Sequence, residues 1–166
     1  VTTEYGSGLS QINETLKAIE AIGMQAVWLW PNVDAGSDDI SKGLRTFREK
    51  SKNELIRFFR NFEILDYARL IKNCGCLIGN SSSAIREGAY LGVPAVNIGT
   101  RQQGREKAEN VVSVDYDSEQ IELATRRQLA NGRYISSNLY GDGNAGARIS
   151  RILTHIDVPI QKSLKY

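Results

Sequence analysis

Short apolar runs of strand length alternate with segments of helical period along most of this 166-residue chain. Apolar residues recur at helical spacing over 9–22, and the next run, 24–30 (MQAVWLW), is apolar apart from Gln25. A short strand that is apolar along its whole length is typical of a parallel sheet covered on both faces. The alternation therefore predicts an α/β fold with a doubly wound, Rossmann-like parallel sheet.

The other elements are predicted from the same periodicities and from the turn residues at their ends. In the helix predicted at Ile64–Asn73, the side chains of Ile64, Leu65, Ala68 and Ile71 are expected to face the core. The remaining helices are predicted from Asp38 or Asp39 to about Ser51, after the 79–83 turn, at Ser118–Asn131 with Ser118 as its cap, and from the 140–144 loop through His155. The remaining strands are predicted at 55–62, before the 79–83 turn, at Ala95–Ile98 and at Val111–Val114.

Composition and charge exclude several classes of partner. The length suits one domain, and a net charge of +2 gives no general case for binding nucleic acid or a membrane. No apolar run approaches the roughly 20 residues of a membrane helix. Cys74 and Cys76 are separated by one residue, and a disulfide between them along an extended strand would need strain, so we expect free thiols in a reducing cytoplasm. His155 is the single histidine, so a metal site is unsupported and no cofactor is expected.

Four loops follow predicted parallel strands and are therefore expected to lie at the same edge of the sheet. Ligands of such sheets bind at this edge, outside the carboxyl ends of the strands. These loops follow Trp30, Phe62, Asn80 and Ile98. The segment 79–83 (GNSSS) joins a strand to a helix, and free N–H groups at a helix start favour a phosphate. The alternative is a turn whose serines only cap the helix. The segment is neither a P-loop nor a nucleophile elbow, because both patterns fail.

Carboxylate and guanidinium groups follow this turn. Glu87 stands four residues after Ser83, on the same face of a continuous helix, and a carboxylate can accept hydrogen bonds from both hydroxyls of a ribose. Alternatively, Glu87 only complements the helix dipole. Arg101 and Arg105 lie in the loop after a strand, where guanidinium groups could match phosphate oxygens or simply be solvated.

The remaining candidates have weaker signals. Asn32 and Asp34, in the loop after the 24–30 strand, either contact a ligand or form an Asx-turn. Phe62, at the end of its predicted strand, either borders a base or belongs to the core. The segment 140–143 (YGDG) is interpreted as a turn and helix cap, and His155 as structural.

Several segments, spread over nearly the whole chain, are jointly distinctive: PNVDAGS (31–37), GNSS (79–82), REGA (86–89), GVP (92–94), NIGTRQ (97–102) with GRE (104–106), ENV (109–111) and YGDGNA (140–145). Together they resemble the C-terminal half of UDP-N-acetylglucosamine 2-epimerases, and especially the hydrolysing branch that makes N-acetylmannosamine. The resemblance implies one half of a GT-B type two-domain enzyme, with residues 1–166 as its nucleotide-sugar-binding domain. Glu-x4-Gly-x-Pro is shared with many GT-B glycosyltransferases, so a glycosyltransferase donor domain and a non-catalytic nucleotide-binding module stay as alternatives.

The resemblance also implies a role for each candidate. Glu87 would hold the ribose hydroxyls, and Ser81 and Ser82 the phosphates. Arg101 would contact the diphosphate or substrate, and Arg105 would stabilise the departing UDP. Asn32 would line the nucleotide pocket, with the backbone around Phe62 beside the uracil.

The reaction of the resembled family eliminates UDP across C1–C2, and water addition then inverts C2. Its acid/base carboxylates lie mainly in an N-terminal domain, so the partners implied are UDP-N-acetylglucosamine, that domain and a second copy of the intact protein. Residues 1–4 supply no apolar strand before the first helix, so we expect an apolar slot in the sheet, filled by further residues or by a compensating contact.

Overall fold

The computed structural model describes residues 6–32 and 36–157. Helices and parallel strands alternate as predicted, which confirms the α/β class. One turn of 3₁₀ helix, Ser82–Ala84, also lies in the chain. The elements in chain order are α1 (Gly8–Ile22), β1 (Ala26–Leu29), α2 (Ser37–Lys50), β2 (Ile56–Phe59), α3 (Ile64–Asn73), β3 (Leu77–Gly79), α4 (Glu87–Leu91), β4 (Ala95–Ile98), β5 (Val111–Val114), α5 (Ser118–Asn131) and α6 (Ala145–His155).

The described strands form two hydrogen-bonded sheets where one was predicted. β1 pairs with β2, whereas β3, β4 and β5 form a second sheet in that order, and every pairing is parallel. Residues of a parallel strand bond alternately to either side. Because Ala26 and Trp30 donate their N–H groups to β2, the backbone groups of Val27 and Leu29 point to the opposite edge. No described strand pairs with that edge, which is the slot expected from the sequence.

Helix α1 joins the two sheets through one continuous stripe of side chains. Near its start, Ile12 and Leu16 pack with Leu44 of α2 over the aromatic side chains of β1 and β2. Ile19 and Ile22 pack against Ile56 of β2. Ala18 belongs to the core of the other sheet, with Val96 and Ile98 of β4 and Ile121 of α5. Ile78 of β3 contacts both of these last two clusters, so apolar packing continues across the slot.

Two predicted helix caps were wrong by one to three residues. Helix α2 begins at Ser37 because Gly36 turns the chain with φ +83°, so Asp38 and Asp39 lie inside the first turn. Helix α5 is capped by Asp117, whose carboxylate accepts a 2.8 Å hydrogen bond from the N–H of Gln120. In both helices the body was predicted correctly, and the cap lies just before the residue chosen from the sequence.

The predicted core face of α3 was largely wrong. Ile71 is 1% exposed, but Ile64 and Leu65 are 85% and 70% exposed, and Ala68 is also exposed. Tyr67 and Leu70 are half-buried beside Ile71, so the buried side chains of α3 lie in its C-terminal half. Apolar side chains at the start of α3 therefore face solvent in the part of the chain that the structure describes.

The last helix, α6, has no buried residue. Its apolar side chains Ile149, Ile152, Leu153 and Ile156 recur at helical spacing and are all exposed. None of the helices described between residues 6 and 157 has the length and apolarity needed to cross a bilayer.

Candidate functional site

The turn after β3 forms the first part of the candidate site. Gly79 ends the strand with φ +138°. The Ser81 hydroxyl accepts a 3.3 Å hydrogen bond from the N–H of Ser83, so Ser81 caps the 3₁₀ turn that begins at Ser82. The carbonyl of Ser82 then accepts the N–H groups of both Ile85 and Arg86. The serines thus cap a helix end, as the simpler interpretation holds, and the exposed Ser81 stays available to a ligand.

A continuous helix through Ser83 and Glu87 was predicted, and this was wrong. The carbonyl of Ala84, which would accept from the N–H of Gly88 in a continuous helix, instead accepts a 3.2 Å hydrogen bond from Asn110 Nδ2. The backbone breaks at Ile85 and restarts at Glu87, the first residue of α4. Glu87 is exposed.

The loop after β4 is held against the turn after β3 by a buried amide. Gln102, 3% exposed, donates from Nε2 to the carbonyl of Asn80 at 2.8 Å. Parallel pairing already aligns the ends of these strands, since Gly79 lies opposite Asn97. The segment with Ser81 and Ser82 and the loop with Arg101 and Arg105 are therefore fixed to each other.

Gln102 was not among the residues predicted to form the site. The residue stands next to Gln103, which is exposed, and in the sequence only the NIGTRQ motif, which ends at Gln102, separates the two glutamines. Burial also leaves Gln102 Oε1 without a hydrogen-bond partner among the described residues. A buried acceptor of this kind costs about 1–3 kcal/mol unless a donor reaches it.

Two exposed arginines occupy the same loop. The entry of the loop is fixed by Gly99, with φ +74°, where an added Cβ would lie 2.4 Å from the Tyr116 ring. Arg101 and Arg105 both present exposed side chains beyond it. The Tyr140 hydroxyl donates a 2.7 Å hydrogen bond to the carbonyl of Glu106, which ties the 140–144 segment to this loop.

The chain turns at the 140–143 segment, as predicted, but the N-cap of α6 is the next residue, Asn144, whose side chain makes no capping hydrogen bond. Asp142 accepts two hydrogen bonds from Arg148, at 2.7 and 2.8 Å, and one from the N–H of Asn144 at 3.0 Å. The Arg148 guanidinium, followed by the Asn144 N–H, holds the pKa of the Asp142 carboxyl well below its usual range. His155 lies exposed on α6 and bonds only locally, with Nδ1 2.8 Å from the carbonyl of Arg151.

The remaining candidates lie at the end of the other sheet. Asn32 is exposed in the loop after β1, and Asp34 lies outside the described residues. β2 ends at Phe59, so the prediction that the strand extends to Phe62 was wrong. Phe62 is half-buried, with its ring centroid 4.9 Å from that of Phe59, which stabilises the loop by aromatic contact. Strand pairing does not bring these residues to the serine and arginine loops, so a common nucleotide site stays a prediction.

Both cysteines are free thiols. Burial raises the pKa of Cys74, and it raises that of Cys76 to about 12. Both side chains therefore stay protonated at neutral pH and are poorly suited to nucleophilic or metal-binding roles.

Comparison with known proteins identifies the family. Residues 1–154 match the family described as UDP-N-acetylglucosamine 2-epimerase. The chain is 30% identical over 161 residues to a hydrolysing UDP-N,N'-diacetylbacillosamine 2-epimerase of Legionella pneumophila, covering 97% of this chain and 42% of that protein. It is 26% identical over 159 residues to a UDP-N-acetylglucosamine 2-epimerase of Neisseria meningitidis, covering 96% and 41%.

A solved structure shares the fold. The chain superposes with a TM-score of 0.69 on the UDP-GlcNAc 2-epimerase of Methanocaldococcus jannaschii, crystallised with UDP-GlcNAc and UDP, at 20% identity over 92% of this chain and 43% of that one. The fold is thus the Rossmann-like parallel α/β fold of a GT-B half, as predicted. The chain spans about two fifths of the length of the curated relatives it matches. The resemblance inferred from the sequence motifs is confirmed: the chain belongs to the UDP-N-acetylglucosamine 2-epimerase family.

Proposed function

We propose that this chain binds the UDP part of UDP-N-acetylglucosamine and serves as the nucleotide-binding domain of a two-domain 2-epimerase. The observation that carries the proposal is the 2.8 Å hydrogen bond from Gln102 to the Asn80 carbonyl. This bond holds a serine-rich turn and an arginine-bearing loop at the ends of neighbouring parallel strands, where ligands of α/β sheets bind.

Each residue has a role that suits its chemistry. The hydroxyl and N–H groups of the exposed Ser81 and the half-buried Ser82 donate to the diphosphate. The guanidinium of Arg101 pairs with a phosphate, and that of Arg105 neutralises the charge that develops on the leaving UDP. The Glu87 carboxylate accepts hydrogen bonds from the two ribose hydroxyls.

The loops at the end of the other sheet contact the base. Asn32 and Asp34 line the nucleotide pocket, and the backbone around Phe62 lies beside the uracil. The aromatic contact between Phe59 and Phe62 would keep that loop in place.

The proposed reaction of the intact protein eliminates UDP from C1 and inverts C2 to give N-acetylmannosamine. Moving the C2 proton requires a positioned acid or base, and the proposal places those carboxylates in a further, N-terminal domain. This chain alone is then inactive and needs that domain, and the intact enzyme assembles as a homo-oligomer. The free thiols of Cys74 and Cys76 suit a cytoplasmic enzyme.

A second candidate substrate is UDP-N,N'-diacetylbacillosamine, because a hydrolysing 2-epimerase named for it is 30% identical to this chain. The two candidates share the nucleotide and differ in the sugar. Incubating the intact protein with each UDP-sugar and measuring released UDP and free sugar separates them. If neither substrate releases UDP, the enzymatic part of the proposal fails.

The nucleotide site is tested by isothermal titration of this chain with UDP. Glu87→Ala removes two charged hydrogen bonds, so affinity should fall by about tenfold to several hundredfold. Glu119→Ala is the matched control, because Glu119 is also an exposed acidic residue in the first turn of a helix. Unchanged UDP affinity in Glu87→Ala would refute the ribose assignment.

A further inference from the structure

Two hydroxyl groups from other segments hold the loop after β4 where it returns to β5. The Tyr140 hydroxyl donates a 2.7 Å hydrogen bond to the carbonyl of Glu106. The next residue, Lys107, donates from Nζ to Ser113 Oγ at 2.7 Å. Both contacts follow Arg105 directly in the sequence, so they fix the part of the loop that carries this arginine.

Strand register sets the position of Ser113. This residue lies opposite Asn97 in the parallel pairing of β4 and β5, so the two side chains point to the same face of the sheet. Asn97, 1% exposed, donates from Nδ2 to Ser113 Oγ and to the carbonyl of Gly99, each at 3.3 Å. Because Lys107 contacts the same hydroxyl, the start of the loop and its return are both connected to this one residue of β5.

Backbone hydrogen bonds set the position of Tyr140. The N–H of Gly141 donates to the carbonyl of Asn138 at 2.9 Å, which closes the turn around Tyr140. The N–H of Ser137 donates to the carbonyl of Ala89 at 3.0 Å, which attaches the preceding segment to α4. The two hydroxyls therefore reach the loop from different elements, α4 and β5.

The first half of the loop has its own anchor, the hydrogen bond from Gln102 to Asn80, which lies next to Arg101. Gly104, with φ +78°, separates this half from Arg105. The N–H of Arg105 reaches the carbonyl of Gln102 only at 3.4 Å, near the limit of a hydrogen bond. The Gln102 bond thus places the loop against the serine turn, and the two hydroxyls place Arg105 within the loop.

We propose that Ser113 and Tyr140 are positioning residues that hold the Arg105 guanidinium towards the phosphate of the departing UDP. The inference rests on the proposed function, which assigns Arg105 to the charge that develops on this leaving group. A donor already held in position stabilises developing charge without reorganisation at the moment of reaction. Both hydroxyls act through the loop, and neither has to touch the ligand.

The nucleotide and the sugar nucleotide differ at the phosphate concerned. In UDP-N-acetylglucosamine the phosphate next to the sugar is a diester with a single negative charge, whereas the terminal phosphate of UDP carries about −1.5 to −2 at pH 7. A guanidinium held at this phosphate therefore favours UDP, and a displaced one loses part of that preference. The ratio of the two affinities reports the position of Arg105, whereas a general defect in the fold lowers both affinities together.

The test is isothermal titration of this chain with UDP and, separately, with UDP-N-acetylglucosamine. Ser113→Ala and Tyr140→Phe remove hydrogen bonds at the loop without changing the net charge. Each should weaken UDP binding about three- to tenfold and binding of the UDP-sugar by less than about twofold. An unchanged ratio of the two affinities would overturn the proposal. If the wild-type chain binds neither ligand, the proposed function itself fails, and this inference fails with it.

Conservative and remote variants serve as controls. Ser113→Thr keeps the hydroxyl and should keep the wild-type ratio. Tyr90→Phe removes a hydroxyl from a tyrosine that is 49% exposed, close to the 42% of Tyr140, and should change neither affinity. A changed ratio in Tyr90→Phe equal to that in Tyr140→Phe would refute a specific role for the Tyr140 hydroxyl.

Two further measurements separate positioning from direct contact. Lys107→Gln and Ser113→Ala break the same hydrogen bond, so their combined effect on UDP affinity should be clearly smaller than the product of the single effects. Full additivity would mean that Lys107 acts on the ligand directly, and it would refute the role given to Ser113. In the intact enzyme, Ser113→Ala and Tyr140→Phe should lower kcat about three- to tenfold and change KM by less than about twofold. A raised KM at constant kcat would overturn the proposal.

Discussion

The hydrogen bond from Gln102 to Asn80 makes a sharp prediction, because it should affect binding far more than stability. We consider Gln102→Leu, which keeps most of the side-chain volume and removes both polar atoms. The substitution deletes the 2.8 Å hydrogen bond that joins the arginine loop to the serine turn. Gln102 is a positioning residue, because the proposal gives it no contact with the ligand.

The expected stability change is small because two effects oppose each other. Loss of the hydrogen bond destabilises the fold by about 1 kcal/mol, and the half-buried Asn80 carbonyl can then be solvated. Removing the buried, unpartnered Oε1 returns a desolvation penalty of about 1–3 kcal/mol. The free energy of unfolding should therefore change by no more than about 2 kcal/mol in either direction.

The effect on UDP binding is expected to be larger than on stability. Without the Gln102–Asn80 hydrogen bond, Arg101 and Arg105 lose their fixed position relative to Ser81 and Ser82. The entropy lost when the loop is ordered by the ligand then opposes binding. We expect UDP affinity to fall by about tenfold, which corresponds to about 1.4 kcal/mol.

Urea denaturation and isothermal titration with UDP measure the two quantities. Gln103→Leu is the matched control, because Gln103 is the exposed neighbour, and it should alter neither. Gln102→Glu should destabilise the fold more than Gln102→Leu, because it adds a buried charge that cannot donate to Asn80. If Gln102→Leu lowers the free energy of unfolding by more than about 3 kcal/mol, then Oε1 has a hydrogen-bond donor in solution and the reasoning is wrong. Unchanged UDP affinity would refute the positioning role.

Two further predictions concern packing and pH. Gly92→Ala should destabilise the chain by at least about 2 kcal/mol, and by more than Gly99→Ala does. Both glycines have positive φ, but the new Cβ at Gly92 would lie 2.2 Å from the Tyr134 backbone carbonyl, which cannot move aside as the Tyr116 ring next to Gly99 can. Equal losses of stability in urea denaturation would contradict this. Burial raises the pKa of Cys76 from 9.0 to about 12, so the folded chain holds this proton where the unfolded chain releases it, and stability should fall as pH rises above about 9. Cys76→Ala should flatten this part of the pH profile, and an identical slope in the variant would exclude the thiol as its cause.

The sequence predicted the order of elements well, because periodicity is a local property. β4, β5 and α3 have the predicted bounds, and α5 ends at the predicted Asn131. The errors arise where tertiary contacts decide the local backbone structure. Asn110 breaks the helix before Glu87 by bonding the Ala84 carbonyl from 26 residues away, and no local pattern reveals that.

In the candidate site, too, some residues could be chosen from local sequence patterns and others depend on tertiary contacts. The serines, Glu87 and the arginines could be chosen from residue type and their place after strands, since those are visible in the sequence. Gln102 could not, because its importance depends on burial and on a partner 22 residues away. Three buried amides, Gln102, Asn110 and Gln128, bond backbone carbonyls between segments, and each resembles an ordinary polar residue in the sequence.

These amides also predict that the two parts of the proposed nucleotide site differ in rigidity. The phosphate and ribose residues belong to the β3–β4–β5 sheet, where strand pairing and side-chain amides connect neighbouring segments. Asn32 and Phe62 belong to the β1–β2 sheet, which no strand hydrogen bond joins to the other among the described residues. The apolar stripe of α1 connects the sheets, with Ala18 on one side and Ile19 on the other. Apolar packing is less directional than strand pairing, so the spacing between the base and phosphate contacts depends chiefly on how α1 is seated.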